Sequence, residues 1–370
     1  MTIHYANRPQ MHPHTRRTTR LVQWLVAIVL LLIVVRVTLP FVVANYVNRK
    51  LNEAKDYGGQ IRTVRMQLWR GGYQIEQIKI FKKTGAVKTP LFSADELDLS
   101  IEWSELFHGA VVGKVILRKP QINFVSGPTE AQTQSGKNEG WDKMLESLFP
   151  FDLNRLDIKN GEVHFQNQYS KPPVDIYLSK IEATATNLNN TRGLTQKLPS
   201  GVVVSGSTIG GGQLDLQLKL NLLKAAPTYE LTCSLTNVDL VSLNSFLRAY
   251  GDFDVAHGTF ALFTSVAGEG GKYDGYFKVF FGNLDVFEWK KDKSKSALGI
   301  FWQAIVGGVA TVFKNHPKDQ LATKVPISGT DASSSVGVWT ATATVLQNAF
   351  IHALLPKVDQ HVSVDQVEKK

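Results

Sequence analysis

The residue types that carry out catalysis are present in this chain, but not at the spacings that catalysis requires. The nine histidines are scattered, with no HExxH motif and no paired-histidine spacing for a metal. The single Cys233 excludes an intrachain disulfide and a multi-cysteine metal site. No serine occupies the third position of a GxSxG motif, and His164 is interpreted as a solvated residue on the polar face of a strand. We predict no enzyme, no metal and no cofactor, with a hydrolase as the weakest alternative.

The spacing that does stand out is the alternation of leucine with polar residues in QLDLQLKLNLL, residues 213–223. A period of two is typical of a strand with one buried face. Burial of each leucine contributes about 1.5–3 kcal/mol, so something apolar must cover this stripe. The cover is either the protein's own core or an acyl chain, and the pattern leaves both open. The candidate lipid-contacting residues are Leu214, Leu216, Leu218, Leu220 and Leu222, with Phe260 and Leu262 as neighbours.

The elements that position these leucines are predicted to be β-strands. Alternating segments bounded by Gly, Pro, Asn or Asp follow one another from residue 73 to residue 287 without long helices between them. This order favours an antiparallel meander of about 12–14 strands. Apolar helices are predicted at 296–315 and 336–356, packed near the C-terminal part of the sheet. Either these helices seal the sheet, or a curled sheet keeps an apolar groove.

The N-terminal 43 residues indicate a membrane segment. A basic tail, 1–20, contains four arginines and no acid, and residues 21–43 are apolar except for Gln23, Arg36 and Thr38. At about 1.5 Å per residue this segment is roughly 34 Å long, enough to cross a hydrocarbon core of about 30 Å. Arg36 could snorkel to the membrane surface. We predict an uncleaved signal anchor, with a cleavable signal peptide as the alternative. In both cases the rest of the chain is exported.

The remaining chain divides at a polar, glycine-containing segment, 126–140, which is predicted to be a flexible loop. A first β-unit, 45–125, precedes this loop and a larger β-rich unit, 141–355, follows it. The last residues, 356–370, are predicted to be a frayed tail.

One basic stretch, EWKKDKSKS at 288–296, is a candidate contact with an anionic membrane surface. A solvated loop is the alternative interpretation. The net charge of +9 is otherwise spread along the chain, and no nucleic-acid recognition motif accompanies it. We therefore predict no nucleic-acid partner. The candidate membrane-surface residues are Trp289, Lys290, Lys291, Lys293 and Lys295.

Several segments resemble the AsmA-like family of bacterial envelope proteins, in particular its short members built on a domain of unknown function. The N-terminal anchor and the matching segments extend over nearly the whole chain. The segments are PLFSADELDLSIEWSELFHGAVVGKVILRKPQINFV (90–125), LDIKNGEVHFQN (156–167), LSKIEATATNLNN (178–190), LNSFLRAYGDFDVAHGTF (243–260), GYFKVFFGNLDV (275–286), DQLATKVPISGT (319–330) and LQNAFIHALLP (346–356).

The resemblance implies a cytoplasmic N-terminus, a single inner-membrane anchor and a periplasmic β-rich body shaped as a taco-like groove. It also implies a role in moving or organising phospholipids between envelope membranes, with membrane lipids and other envelope proteins as partners. It supplies no binding residues to transfer, and a sheet of about 65 Å, at about 4.8 Å per strand, is short for bridging an envelope. The leading expectation is an inner-membrane-anchored periplasmic lipid-binding protein. The alternative is a non-enzymatic scaffold or assembly factor whose own helices seal the sheet.

Overall fold

The structure is a computed structural model that describes residues 14–53, 56–67, 71–83, 86–101, 112–134, 152–188, 197–221, 228–251, 253–289 and 320–330. Two α-helices occur in the described chain, α1 at His14–Leu51 and α2 at Asn244–Gly251. Three short 3-10 helices lie at Glu130–Gln132, Ile209–Gly211 and Val241–Leu243. The strands are β1 Tyr57–Gln60, β2 Thr63–Gln67, β3 Gly72–Lys82, β4 Phe92–Ile101, β5 Val112–Arg118, β6 Gln121–Val125, β7 Asp152–Asn167, β8 Val174–Thr186, β9 Ser200–Thr208, β10 Gln213–Asn221, β11 Thr228–Asp239, β12 Phe253–Glu269, β13 Lys272–Trp289 and β14 Gln320–Thr330.

All described strands belong to one curled sheet, which confirms the predicted mainly β fold. The main path runs β1-β3-β4-β5-β7-β8-β9-β10-β11-β12-β13-β14, with β2 beside β3 and β6 between β4 and β7. Pairing is antiparallel except that β5 and β6 run parallel to β7. A parallel pair needs a long crossover connection, and the chain between β6 and β7, residues 126–151, provides it. The sheet is therefore mixed, which the expected antiparallel meander did not include.

A line of left-handed residues crosses the middle of the sheet and bends its strands. Gln77 of β3, Asn160 of β7, Lys180 of β8, Asn237 of β11 and Asn283 of β13 all have φ between 48° and 57°. The strand register shifts next to most of these positions. Such bulges increase the local bend and twist of a strand. A row of them across neighbouring strands explains why this sheet curls.

Strands from both predicted β-units, 45–125 and 141–355, lie in this one sheet, joined where β7 pairs with β5 and β6. The described part of the predicted flexible loop, 126–134, folds back on the sheet. Gln134 forms a bridge with Val125, and the Lys82 ammonium donates to the carbonyl oxygens of Glu130 and Thr133. The long helices predicted at 296–315 and 336–356 and the predicted tail 356–370 lie outside the described residues, and so do residues 1–13 of the predicted basic tail 1–20. Residues 14–20 of that tail belong to α1. In the C-terminal half, the α-helix that the structure describes is the short α2.

Helix α1 continues from an exposed apolar stretch directly into the protein core. Its segment from Leu21 to Leu51 is long and apolar enough to cross a membrane. Large side chains from Leu21 to Val37 are exposed. Near its C-terminus the helix becomes buried on one side, where Val47 and Leu51 belong to the main hydrophobic cluster. The helix and the sheet therefore share one core.

Candidate functional site

The leucines of β10 lie on one face of their strand, as the alternation predicted. Leu214, Leu216, Leu218 and Leu220 share this face, and the residues between them, from Gln213 to Lys219, are exposed. We call the side of the sheet that carries these leucines the apolar face, and the opposite side the polar face. The fifth predicted leucine, Leu222, lies outside the described residues.

The apolar face extends far beyond β10, because strand register aligns apolar residues across nine strands. From Tyr73 of β3 to Val266 of β12, each residue of one row is paired with the next on the neighbouring strand. With strands about 4.8 Å apart, this row is roughly 38 Å long along the sheet. The row consists of Tyr73, Leu99, Val115, Leu156, Ala185, Val202, Leu218, Leu231 and Val266.

Burial changes along the leucine stripe. Leu218 and Leu220 are 1% and 0% exposed, whereas Leu214 and Leu216 are half-buried. The predicted neighbour Leu262 pairs with Leu235, which in turn pairs with Leu214, so these three residues form a second row. Leu262 is itself buried at 2% exposure. The protein's own residues therefore cover one end of the stripe and leave the Leu214–Leu216 end partly open.

Helix α1 runs along the edge of the sheet in the direction opposite to β1 and β2. The Asn52 Nδ2 amide donates to the Gly59 carbonyl at 2.8 Å. One helical turn earlier, the Asn48 Oδ1 accepts the Ile61 N–H at 2.9 Å. Towards its N-terminus, the helix therefore approaches β2 and the start of β3 at Gly72. It leaves the sheet at this end, which we call the proximal end; the opposite end is the distal end.

The buried part of the leucine stripe lies towards the proximal end. Tyr73, the second residue of β3, belongs to the same cross-strand row as Leu218. Leu220 lies two residues further along β10, closer to the proximal end. One hydrophobic cluster joins Leu218 and Leu220 to Leu51 and Val47 of α1. Burial also raises the pKa of the Tyr73 phenol. The apolar face is thus continuous with the helix that is long enough to cross a membrane.

The distal end is closed by a second hydrophobic cluster around α2. The Tyr250 hydroxyl of α2 accepts a hydrogen bond from the Asn167 Nδ2 amide of β7 at 2.7 Å, and the Tyr250 ring lies 6.2 Å from that of Phe165. The predicted neighbour Phe260 belongs to this cluster and packs its ring 5.6 Å from Phe281. Phe260 is therefore a buried core residue beyond the stripe, towards the distal end.

The predicted membrane-surface cluster falls mostly outside the described chain. Trp289 is the last residue of β13, and its backbone pairs with Phe253 at the distal end. Lys290, Lys291, Lys293 and Lys295 lie outside the described residues. Their contact with a membrane surface stays a prediction.

The polar face holds two ionic clusters that sequence reasoning missed. His164, predicted to be solvated, is mostly buried: its Nδ1 lies 2.9 Å from Asp175 Oδ1, and its ring stacks on Tyr177 at 5.2 Å. Residues on β7 and β8 become neighbours only through strand register, so no local motif could have revealed this cluster. The described residues contain no group of three or more His, Cys, Asp or Glu side chains arranged to hold a metal ion.

Asp157 is the second ionic centre and is buried on the polar face of β7. Burial by itself raises the pKa of this carboxyl, but hydrogen bonds from Arg155, Lys114 and Thr184 outweigh it and hold the pKa at about 2. All of these partners lie on strands β5, β7 and β8. The cluster fastens three neighbouring strands together.

A polar cavity of about 350 Å³ also opens on the polar face, where β3, β4 and β7 approach the turn between β5 and β6. Its lining includes the exposed ion pair of Lys119 with Asp95, 3.2 Å apart, and the side chains of Asn160 and Glu162. Ile78, Ala94 and Pro120 also line this cavity, but most of its lining is polar and none of the β10 leucines belongs to it.

The comparisons with known proteins add no family to this description. No protein-family model matches the chain, and no curated protein matches it either.

Proposed function

We propose that this chain is an inner-membrane-anchored, periplasmic lipid-binding protein that organises phospholipids or moves them between envelope membranes. The observation that carries the proposal is the single hydrophobic cluster that runs from Val43 and Leu51 of α1 to Leu231 of β11. It joins an apolar face more than 30 Å long, at about 4.8 Å per strand, to a helix that can cross a membrane. An acyl chain leaving a bilayer would meet apolar side chains continuously along such a surface.

The half-buried part of the stripe is the best candidate for acyl-chain contact. Leu214 and Leu216 keep part of their surface open, whereas Leu218 and Leu220 are already covered. Lipid-binding sites are concave and lined mainly by apolar side chains, and the line of bulges at the level of Leu214 gives the sheet its curvature. Phospholipid is therefore the ligand class that the apolar face fits best, and the proposed role needs no catalysis.

Photo-crosslinking tests this function in the intact membrane. Benzoylphenylalanine would replace Leu214 or Leu216 in the full-length chain, and irradiated protein would be analysed by mass spectrometry for phospholipid adducts. Val203 is the matched control, because it is 58% exposed on the polar face of β9, and β9 pairs with β10, the strand that carries Leu216. We expect adducts at residues 214 and 216 and none at 203. Equal labelling at all three positions, or none at the leucines of a protease-resistant protein, contradicts lipid binding.

The second candidate is a scaffold or assembly factor that holds other envelope proteins. It is favoured by the burial of Leu218, Leu220 and Leu262 within the protein's own clusters. Exposed apolar side chains at the distal end, Tyr169 and Val241, would then be contact points for a partner. Benzoylphenylalanine at 169 and 241 should form protein adducts in this case, while positions 214 and 216 form no lipid adducts.

A further inference from the structure

Arg36 lies on the side of α1 that faces the sheet. Burial along the helix recurs at Pro40, Val43, Ala44 and Val47, which are half-buried or buried, while Phe41 and Val42 are exposed. This spacing of three and four residues defines the face that packs against the sheet. Arg36 precedes Pro40 by four residues and Val43 by seven, so it continues the same face one turn below the sheet.

The depth of Arg36 in the membrane follows from the position at which the apolar segment of α1 first becomes buried. Partial burial of the helix begins at Leu39 and Pro40, inside the apolar segment 21–43. A sheet with exposed polar edges does not enter hydrocarbon. The proximal end of the sheet therefore lies in the headgroup layer, at the level of Leu39. At about 1.5 Å per residue, Arg36 is roughly 5 Å below that level, within reach of phosphate groups.

Pro40 provides a second, independent indication of a polar surrounding at Arg36. Proline has no N–H, so the Arg36 carbonyl lacks the helical hydrogen bond that residue 40 would otherwise donate. Pro40 lies inside the continuous helix α1. A carbonyl without a helical partner is costly in hydrocarbon and favours a depth where water or lipid headgroups can reach it. Both the side chain and the carbonyl of Arg36 thus favour the headgroup layer.

We propose that the Arg36 guanidinium binds the phosphate group of a membrane phospholipid at the foot of the sheet, where the apolar face meets the bilayer. This inference rests on the proposed function and adds a headgroup site to its apolar surface. Arginine binds phosphate through a planar fork of donors and stays charged at any physiological pH. A phosphate held at Arg36 lies one helical turn from Pro40 and two turns from Val43, so a lipid bound there stands next to the start of the continuous hydrophobic cluster.

Native mass spectrometry of the full-length chain in uncharged detergent tests this site. The protein would receive equal amounts of phosphatidylglycerol and of diacylglycerol with the same acyl chains, and the bound ratio would be measured. We expect the unaltered chain to prefer phosphatidylglycerol and Arg36→Gln to lower that preference about tenfold, as for the loss of one charge-assisted hydrogen bond. Arg36→Lys should keep most of the preference. Arg49→Gln is the matched control, because Arg49 is exposed on the opposite side of the same helix.

The outcomes separate this inference from the function on which it rests. An unaltered preference in Arg36→Gln overturns the phosphate site, and so does an equal loss in Arg49→Gln, which would indicate a general charge effect. If the unaltered chain binds both lipids equally, Arg36 has another ligand and the inference is wrong. Lipid adducts of benzoylphenylalanine at position 216 in the Arg36→Gln background would support the proposed function in each of these cases. Absence of those adducts in a chain that keeps Arg36 contradicts the function itself.

Discussion

Asn48 of α1 accepts a hydrogen bond from the main-chain N–H of Ile61 at 2.9 Å, and this contact fixes the helix to the first strands of the sheet. Ile61 lies between β1 and β2, where its N–H has no strand partner to use. One turn later, Asn52 donates to Gly59 and Leu51 is completely buried. The helix that can cross a membrane is therefore part of the folded body, and its direction sets the orientation of the sheet.

Gly59→Ala should loosen this junction. A Cβ at residue 59 would lie 2.9 Å from the Leu51 Cβ, which is too close for two carbon atoms. We expect the free energy of unfolding to fall by about 1–3 kcal/mol, the usual cost of overpacking a core. Denaturant unfolding of the full chain in detergent measures this change.

Gly201→Ala is the control for that substitution. A Cβ at residue 201 would meet only the Thr186 hydroxyl, at 3.7 Å. We expect a change within about 0.5 kcal/mol at this site. An equal loss of unfolding free energy at both glycines would show that the close packing of Leu51 against Gly59 is not the cause of the effect of Gly59→Ala.

The gradient of burial along β10 predicts unequal effects of truncating its leucines. Leu220→Ala should lower the free energy of unfolding by about 2–5 kcal/mol, since it leaves a cavity in the main cluster. Leu214→Ala should cost about 1 kcal/mol, because this side chain is only half-buried. Unfolding of both variants in denaturant gives the comparison. A loss at Leu214 as large as at Leu220 would mean that Leu214 is fully covered and has no surface left for lipid.

The shared face of the leucines could be predicted from the sequence, but their unequal burial could not. Alternation is a local property, and it placed Leu214 to Leu220 on one face correctly. Burial depends instead on the curl of the sheet and on the packing of α1 against it. Both arise from contacts between residues that are far apart in the chain.

The bulges that produce the curl left only a partial signal in the sequence. Asn160, Asn237 and Asn283 interrupt alternating strands, and asparagine tolerates positive φ better than most residues. Gln77 and Lys180 adopt the same conformation without any such preference. The parallel pairing of β5 with β7 was also hidden, because it depends on the route of the chain from residue 126 to 151.

Asp157 predicts a loss of stability in acid. Its pKa in the folded protein is about 2, below the ordinary value of about 3.9. A depressed folded-state pKa contributes stability above the unfolded-state value, and this contribution disappears as pH falls from about 4 to 2. We expect a loss of about 2 kcal/mol over that window, measured as the free energy of unfolding against pH.

Asp157→Asn provides the comparison for this titration. The variant should be less stable than the parent at pH 6, because Arg155 and Lys114 lose their charged partner. Its stability should change less than that of the parent between pH 4 and 2. Parallel pH profiles for the two proteins would contradict the assignment of this acid sensitivity to Asp157.

Cys233 reports whether the apolar face is covered, because it pairs directly with Leu216 and is buried on the same face. Burial, with a smaller contribution from the charge of Asp215, raises the pKa of its thiol to about 12. At pH 8 only about one thiol in 10,000 would then be ionised, so maleimide should label the folded protein very slowly. Unfolding in denaturant should restore rapid labelling. Since the chain has one cysteine, no other thiol contributes to the signal.

Ser205→Cys in a Cys233→Ala background supplies the exposed reference, because Ser205 lies on the polar face of β9. We expect its labelling to be more than about 1,000-fold faster than that of Cys233, because an exposed thiol with an ordinary pKa of about 8.5 is about one quarter ionised at pH 8. Rapid labelling of Cys233 in the folded, detergent-purified chain would mean that the cover beside Leu216 opens readily. It would contradict the buried thiol and show that the open part of the apolar face extends from Leu216 onto the neighbouring strand β11.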